Sequence, residues 1–135
     1  MSERNVRFIR AAFDAFSRGD FEAVLQVTDP DIEITQPREL PDYRTYHGRE
    51  GVLEAFRDWP AQWDQFDVDL VDVIDLDDEH VVSVTRQHLR ARELEFDQDV
   101  INLHTFRGEK AIGWHMFFTV EEAMEAARAA KPRPR

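Results

Sequence analysis

The stretch Val100–Phe118, VINLHTFRGEKAIGWHMFF, decides the fold because it contains two alternating runs joined by a tight turn. Alternation with a period of two predicts a long antiparallel β-hairpin that turns at Arg107–Lys110. Residues two apart on a strand share a face. One face of this hairpin therefore carries Val100, Asn102, His104 and Phe106 on the first strand and Ile112, Trp114, Met116 and Phe118 on the second.

A helix is expected directly after this hairpin. Thr119 and Glu122 have the spacing of a capping box, in which the two side chains satisfy backbone N–H groups at a helix start. Ala123, Met124 and Ala127 then share one face. That face is expected to fold back onto the sheet.

Three helices are predicted in the N-terminal half of the chain. In the first, apolar residues recur with the spacing of one buried helical face. Gly19 ends it, and Asp20 is placed to cap a second, shorter helix. Gly48 opens the third helix, which Pro60 should kink or end near Trp59.

The predicted order is two helices, a short strand, a third helix, a meander of four long strands and a short final helix. A short strand is predicted at Ile32–Gln36, a loop at Pro37–His47, and long strands at Phe66–Leu76 and His80–Ala91 before the hairpin. This order indicates an α+β fold, with the helices covering one face of a curved antiparallel sheet. A single domain is expected over residues 1–130, followed by a disordered basic tail at 131–135.

Composition limits the classes of function. With 135 residues, a net charge of -11 and no cysteine, the chain is expected to bind neither nucleic acid nor membrane and to form no disulfide. No apolar run approaches the roughly 20 residues of a membrane span, and no export signal precedes the first helix. A cytoplasmic location is expected.

Three segments carry a family resemblance: Tyr46–Val52 (YHGREGV), Phe106–Ile112 (FRGEKAI) and Phe118–Ala123 (FTVEEA). In their order and spacing they resemble the SnoaL-like branch of the nuclear transport factor 2-like superfamily. The resemblance covers nearly the whole chain. It implies a cone-shaped α+β barrel with an apolar pocket between the sheet and the helices, and a homodimer through the outer sheet face.

The resemblance leaves the reaction open, since the superfamily includes isomerases, epoxide hydrolases, dehydratases, cyclases and binding domains. Where its epoxide hydrolases carry an Arg-x-Asp pair and a last-strand Asp, this chain has Arg86, His88 and Met116. Where its isomerases carry a protonated Asp, this chain has Asn102. The absence of both carboxylates favours a binding protein.

The catalytic hypothesis depends on strand register. If the turn before the hairpin centres near Leu94, Arg86 lies opposite Asn102 and His88 opposite Val100; a slip of one pair brings His88 opposite Asn102. Either register would place Arg86, His88, Asn102 and His104 on one face. His88 would then carry a proton while Asn102 and Arg86 stabilise a substrate oxygen or anion.

The alternative to catalysis is that these residues have only structural roles. Arg86 would pair with a carboxylate such as Glu33, while His88 and Asn102 would bond to each other. His104 would then be a rim or core residue.

A small apolar molecule with a polar group is the expected ligand. Two functions stay open: acid/base chemistry of the isomerase, dehydratase or cyclase type, or non-catalytic binding or dimerisation. Neither a cofactor nor a metal is expected, because the histidines and the acidic series 64–79 lack metal-site spacing. The predicted ligand contacts are Tyr43, Tyr46, Trp59, His104, Trp114, Met116 and Phe118.

Overall fold

The computed structural model describes residues 2–41 and 43–129. The predicted basic tail at 131–135 lies outside the described residues. The order of elements is two helices, two short strands, a third helix, four long strands and a final helix. Their bounds are α1 Ser2–Ser17, α2 Phe21–Gln26, β1 Thr28–Thr35, β2 Thr45–His47, α3 Gly48–Ala61, β3 Gln65–Asp75, β4 His80–Ala91, β5 Leu94–Arg107, β6 Lys110–Phe117 and α4 Val120–Ala129.

The six strands form one curved sheet in the order β2-β1-β6-β5-β4-β3. Neighbouring strands are antiparallel except β1 and β6, which run parallel. β3 to β6 form a meander of long strands, as the sequence predicts. The expected α+β fold, with three helices in the N-terminal half and a short C-terminal helix, is confirmed.

Two apolar clusters lie on opposite faces of the sheet. The larger one fills the space between the concave face and α1–α3, and includes Ile9, Ile34, Val52 and Phe56. The smaller one lies on the outer face, where α4 packs against β5 and β6, and contains Val82, Ile101, Leu103, Ala123 and Ala127. Both faces of β4 are therefore buried over part of its length.

The helix ends agree with the local chemistry of the sequence. The Thr119 hydroxyl accepts the backbone N–H of Glu122 at 3.2 Å, as the N-cap half of a capping box requires, and donates to the Glu122 carboxylate at 2.9 Å. Asp20 accepts the backbone N–H of Ala23 at the start of α2. Gly19, at φ +75°, ends α1 in the left-handed region that glycine adopts without strain.

The two strands of the hairpin pair as predicted across the Arg107–Lys110 turn. Asn102 lies opposite Met116, and His104 lies opposite Trp114. One residue departs from the expected alternation: the register shifts between Thr105 and Phe106, so Ile112 is an extra residue in β6. Ala111 then takes the inward position expected of Ile112.

The predicted register between β4 and β5 is wrong. The connecting turn contains only Arg92 and Glu93, since Ala91 already pairs with Leu94. Arg86 therefore lies opposite Asp99, His88 opposite Asp97, and Asn102 opposite Ser83. The observed pairing is shifted from the predicted one by an odd number of residues. The inward residues of β5 therefore pair with odd-numbered residues of β4, and not with the even-numbered Arg86 and His88.

The short strand and loop before α3 also differ from expectation. β1 begins at Thr28 rather than Ile32, and part of the predicted loop forms β2, which pairs with β1 through Ile34 and Tyr46. β2 is only three residues long and has little alternation to read. Its pairing with β1 places α3 over the concave face.

Candidate functional site

A cone-shaped pocket lies between the concave face of the sheet and the helices. Its inner chamber has a volume of about 90 Å³ and is lined by α1, α3 and the inward side chains of β3 to β6. An outer chamber of about 290 Å³ extends from it past the end of α3 and the segment after β1. The two chambers share five lining residues: Trp59, Phe66, Gln87, Val100 and Met116.

Aromatic rings form much of the wall of the inner chamber. Trp59 and Trp114 meet edge to face, with ring centroids 5.4 Å apart and planes at 88°. Phe56 packs against both indoles at 6.4 Å. Edge-to-face packing of this kind holds rings in fixed orientations. The chamber wall is therefore aromatic and apolar on the helix side and along β6.

Asn102 lies in this wall with its amide fully engaged. Its oxygen accepts the indole N–H of Trp114 at 2.7 Å. Its nitrogen donates to the Thr85 hydroxyl at 3.1 Å and lies near the Ser83 and Val100 carbonyl oxygens at 3.4 and 3.5 Å. Through these bonds Asn102 connects the side chains of Trp114 and Thr85 within the chamber wall.

His104 is the titratable side chain of the inner chamber. It is buried, and its Nε2 lies 2.8 Å from the hydroxyl of Ser83. Burial lowers the pKa of His104 to about 3, because the charged imidazolium would lose its hydration there. His104 is therefore neutral at physiological pH.

The outer chamber presents amides instead of charges. Four glutamines, one each from the segment after β1, the end of α3, β4 and β5, line it together with aromatic rings. Trp63 and Phe96 meet edge to face across it at 5.5 Å. The glutamines are Gln36, Gln62, Gln87 and Gln98.

Among the described residues that line the two chambers, none carries a carboxylate, ammonium or guanidinium group. An ionised ligand buried there would have no opposite charge beside it. Burying an unpaired charge is far more costly than burying a hydrogen-bonded neutral group. The pocket is therefore suited to uncharged molecules.

Arg86 and His88 lie outside this pocket, on the outer face of the sheet. Arg86 forms a two-bond ion pair with Asp99 at 2.8 and 3.2 Å. His88 is held between two carboxylates, with Nδ1 2.8 Å from Asp97 and Nε2 2.7 Å from Asp69. The prediction that Arg86 and His88 share a face with Asn102 and His104 is thus wrong, since the turn at Arg92–Glu93 reverses the parity.

The two carboxylates raise the pKa of His88 by accepting hydrogen bonds from both ring nitrogens, with Asp69 contributing most. His88 also reaches an open groove of about 530 Å³ beside β3, together with Asp67 and Asp69. Since both ring nitrogens are engaged, His88 is an outer-face ion-pair residue in this geometry.

The predicted ligand contacts divide into two groups. Five of them line the chambers: Trp59, His104, Trp114, Met116 and Phe118. The two tyrosines do not join them in the part of the chain that the structure describes. Tyr43 is exposed, and Tyr46 lies in the core beside α3.

Tyr46 belongs to a small cluster behind the pocket wall. Its hydroxyl lies 3.4 Å from the carboxylate of Asp58, and Arg44 stacks over its ring at 4.2 Å. Burial raises the pKa of Tyr46. The indole N–H of Trp59 lies near this hydroxyl and favours its ionised form, but the geometry falls short of a hydrogen bond.

Three inward residues of β4 were not predicted from the sequence: Ser83, which bonds to His104, and Thr85 and Gln87, which line the pocket. All three share the inward face of β4, while Arg86 and His88 lie on its outer face. Alternation along β4 places these two sets on opposite faces. The exact position of the turn would have shown which set faces the pocket.

Neither a metal site nor a membrane span is found in the described residues. They contain no group of three or more His, Cys, Asp or Glu side chains arranged to hold a metal ion. Nor does any helix in the described ranges combine the length and apolarity required to cross a bilayer.

Comparisons with solved structures identify the fold. Bal32a, from a soil-derived mobile gene cassette, has a TM-score of 0.79 at 20% identity, covering 93% of this chain and 96% of its own. An NTF2-like protein from Burkholderia pseudomallei K96243 has a TM-score of 0.76 at 20% identity, covering 96% and 98%. TerC, co-crystallised with polyporic acid, has a TM-score of 0.75 at 22% identity, covering 90% and 96%.

The sequence itself identifies the family. No curated protein is significantly similar to this chain. The family model of the SnoaL-like domain matches residues 9–114, from the middle of α1 to the middle of β6. The chain therefore belongs to the SnoaL-like family.

Proposed function

We propose that this protein binds a small, uncharged, largely aromatic molecule in the cone-shaped pocket. The observation that carries the proposal is the composition of the pocket wall: aromatic and aliphatic side chains with a few neutral polar groups and no charge among the described residues. Ligand sites of proteins commonly have this composition. TerC, which shares the fold, was co-crystallised with polyporic acid, and that supports a small organic ligand for this chain.

The catalytic alternative is acid/base chemistry of the isomerase, dehydratase or cyclase type, with His88 as proton carrier and Asn102 and Arg86 as stabilisers. An efficient general acid or base has a pKa near the working pH. His104, with a pKa of about 3, is too weak a base for that role, and His88 has both nitrogens bound to carboxylates on the outer face. These observations favour binding over catalysis.

The proposal can be tested with a matched pair of fluorescent probes, N-phenyl-1-naphthylamine and its 8-sulfonate. The neutral amine should bind with increased fluorescence, and the sulfonate should bind at least about tenfold more weakly because its charge finds no partner in the pocket. Equal affinity for both probes, or no binding of the neutral one, would contradict the proposal.

A matched pair of variants locates the binding. Ala12 lines the inner chamber, whereas its neighbour Ala11 is exposed on the same helix. Ala12→Trp should fill the chamber and abolish binding of the neutral probe, while Ala11→Trp should leave the affinity unchanged. Similar affinities for the two variants would place the probe elsewhere.

We also propose a cytoplasmic location. A net charge of -11 supports the further proposal that the protein binds neither nucleic acid nor membrane.

A further inference from the structure

We propose that His104, fixed in one tautomer by Ser83, presents a single N–H donor to the inner chamber and selects ligands that carry a neutral oxygen acceptor such as a ketone or quinone carbonyl. This inference deepens the proposed function and rests on it, because it names the polar group that the ligand must carry. The tautomer of His104 depends on where the hydroxyl proton of Ser83 can go.

Ser83 is fully buried, with an exposed fraction of 0%. Among the described residues, Nε2 of His104 at 2.8 Å is the one partner of its hydroxyl. If Nε2 carried a proton, the imidazole would donate to Ser83, and the buried O–H would be left without an acceptor. Leaving a buried donor unsatisfied costs about 1–3 kcal/mol, so the hydroxyl donates to Nε2.

The proton of neutral His104 then lies on Nδ1. An imidazole with an unprotonated Nε2 must carry its proton there. Nδ1 of His104 has no hydrogen-bond partner among the described residues. Among these residues, Nε1 of Trp59 is the one side-chain nitrogen or oxygen that is both unpaired and fully buried. Nδ1 is therefore unpaired without being fully buried. Since His104 is 5% exposed and lines the inner chamber, Nδ1 is open to that chamber.

The other polar groups deep in the inner chamber are engaged or closed off: Nε1 of Trp59 is sealed, and the amide of Gln87 lies where the inner chamber meets the outer one. The oxygen and nitrogen of Asn102 bond to Trp114 and Thr85, and the Thr85 hydroxyl donates to the Val100 carbonyl oxygen at 2.8 Å. The Nδ1–H of His104 is therefore the donor available at the inner end of the cone. A carbonyl oxygen satisfies it, whereas a pure hydrocarbon leaves it unpaired.

The tautomer can be tested without any ligand. In a ¹⁵N NMR spectrum of wild-type protein labelled at histidine, His104 should show a protonated Nδ1 and an unprotonated Nε2. In Ser83→Ala, which removes the hydroxyl that fixes the ring, the two nitrogens should move towards a mixture of tautomers. A protonated Nε2 in the wild type, or an unchanged spectrum in Ser83→Ala, would overturn the inference and leave the proposed function untouched.

Selection of a carbonyl can be tested with two ligands of nearly the same shape, 2-acetylnaphthalene and 2-isopropenylnaphthalene. They differ in a C=O against a C=CH2 group. The double variant Ser83→Ala/His104→Phe removes both hydrogen-bonding partners, so that no buried hydroxyl is left unpaired. Its preference for the ketone over the alkene, measured by calorimetry, should be about fivefold lower than that of the wild type.

The control is His88→Gln, which alters a histidine on the outer face of the neighbouring strand. It should keep the wild-type preference for the ketone. If wild type and the double variant bind both ligands with the same ratio of affinities, the inference is wrong and cone binding stands. If wild type binds neither the ligands nor the neutral fluorescent probe, the proposed function itself fails.

Discussion

Trp114 donates its indole N–H to the side-chain oxygen of Asn102 across 2.7 Å, joining β6 to β5 inside the pocket wall. The other end of the same amide donates to Thr85 on β4. One buried side chain thus connects three strands. In isomerases of the wider superfamily an acid is expected at this position, and the environment of Asn102 indicates how an acid would behave in this chain.

Replacing Asn102 by Asp should make the stability of the protein depend on pH. The new carboxyl oxygen would face the carbonyl oxygens of Ser83 and Val100, where the amide nitrogen now lies. Two acceptors and burial both disfavour the charged form, so the pKa of the new acid should be raised in the folded state. Below the unfolded value of about 3.9 the folded and unfolded states are both protonated, and the variant should be nearly as stable as wild type.

Above that pH the unfolded chain ionises while the folded one does not, so stability should fall as pH rises. A loss of roughly 3 kcal/mol at neutral pH corresponds to a shift of about two pH units. Urea unfolding of Asn102→Asp and wild type at pH 4 and pH 7 measures the effect. An equal difference at both values would contradict the explanation.

The order of elements, the hairpin and its inward face could be predicted from the sequence because each rests on local chemistry. Gly108, at φ +64°, lies in the turn after Arg107, where a glycine is easily recognised. The pairing of Asn102 with Met116 follows from that turn.

The register between β4 and β5 could not be predicted for two physical reasons. Their turn is made by Arg92 and Glu93, and Arg92 adopts φ +59° although nothing in its type signals a left-handed conformation. In addition, Val81 and Val82 are both fully buried, because helices cover one face of β4 and α4 covers the other. With apolar residues on both faces of β4, alternation does not show which face lines the pocket. The wrong choice of face is the reason that His88 was predicted in the candidate site.

The buried, neutral state of His104 should make the folded protein sensitive to mild acid. The pKa of His104 is about 3 in the folded protein and about 6.5 in the unfolded chain. Between these two values the unfolded chain binds a proton at His104 and the folded protein does not. Stability should therefore fall as pH decreases, by up to about 1.4 kcal/mol per pH unit between about pH 6 and pH 4. Thermal or urea unfolding across this range measures the slope.

The control for His104 is the double variant Ser83→Ala/His104→Phe. Burial also lowers the pKa of His115, and that contribution is the same in both proteins. The variant should have a shallower slope than wild type. Parallel curves would show that another group causes the acid sensitivity.

His88 should titrate above the ordinary histidine value, since Asp69 and Asp97 accept hydrogen bonds from its two nitrogens. A raised folded pKa contributes stability at low pH that is lost as pH rises through it. NMR titration of the ring protons measures this directly. Asp69→Asn and Asp97→Asn should each lower the value, whereas Asp67→Asn, next to Gln65 on the same strand, should change it less. Equal effects of all three variants would contradict the contacts described.

A homodimer through the outer sheet face is expected at micromolar concentration. α4 covers one part of that face, and the free part carries Arg86 and Asp99 as an exposed pair. Each copy carries a net charge of -11, and salt screens the repulsion between copies, so sedimentation velocity should show a stronger dimer at high ionic strength. Arg86→Glu should favour the monomer, and Arg10→Glu on the exposed face of α1 should not. A monomer under all conditions would refute the prediction.

Gly51 in α3 should not tolerate alanine, although alanine is the better helix former. A Cβ at this position would lie 3.1 Å from both Cβ and the carbonyl carbon of Tyr46, where β2 passes under the helix. In an exposed helix the change would stabilise by up to about 1 kcal/mol, whereas crowding in a packed core costs typically about 1–3 kcal/mol. Urea unfolding of Gly51→Ala should therefore show a loss, while Leu53→Ala on the exposed side of α3 should stay within about 0.5 kcal/mol of wild type. A gain for Gly51→Ala would mean that α3 can move away from β2, and the pocket wall that Trp59 forms would then be adjustable rather than fixed.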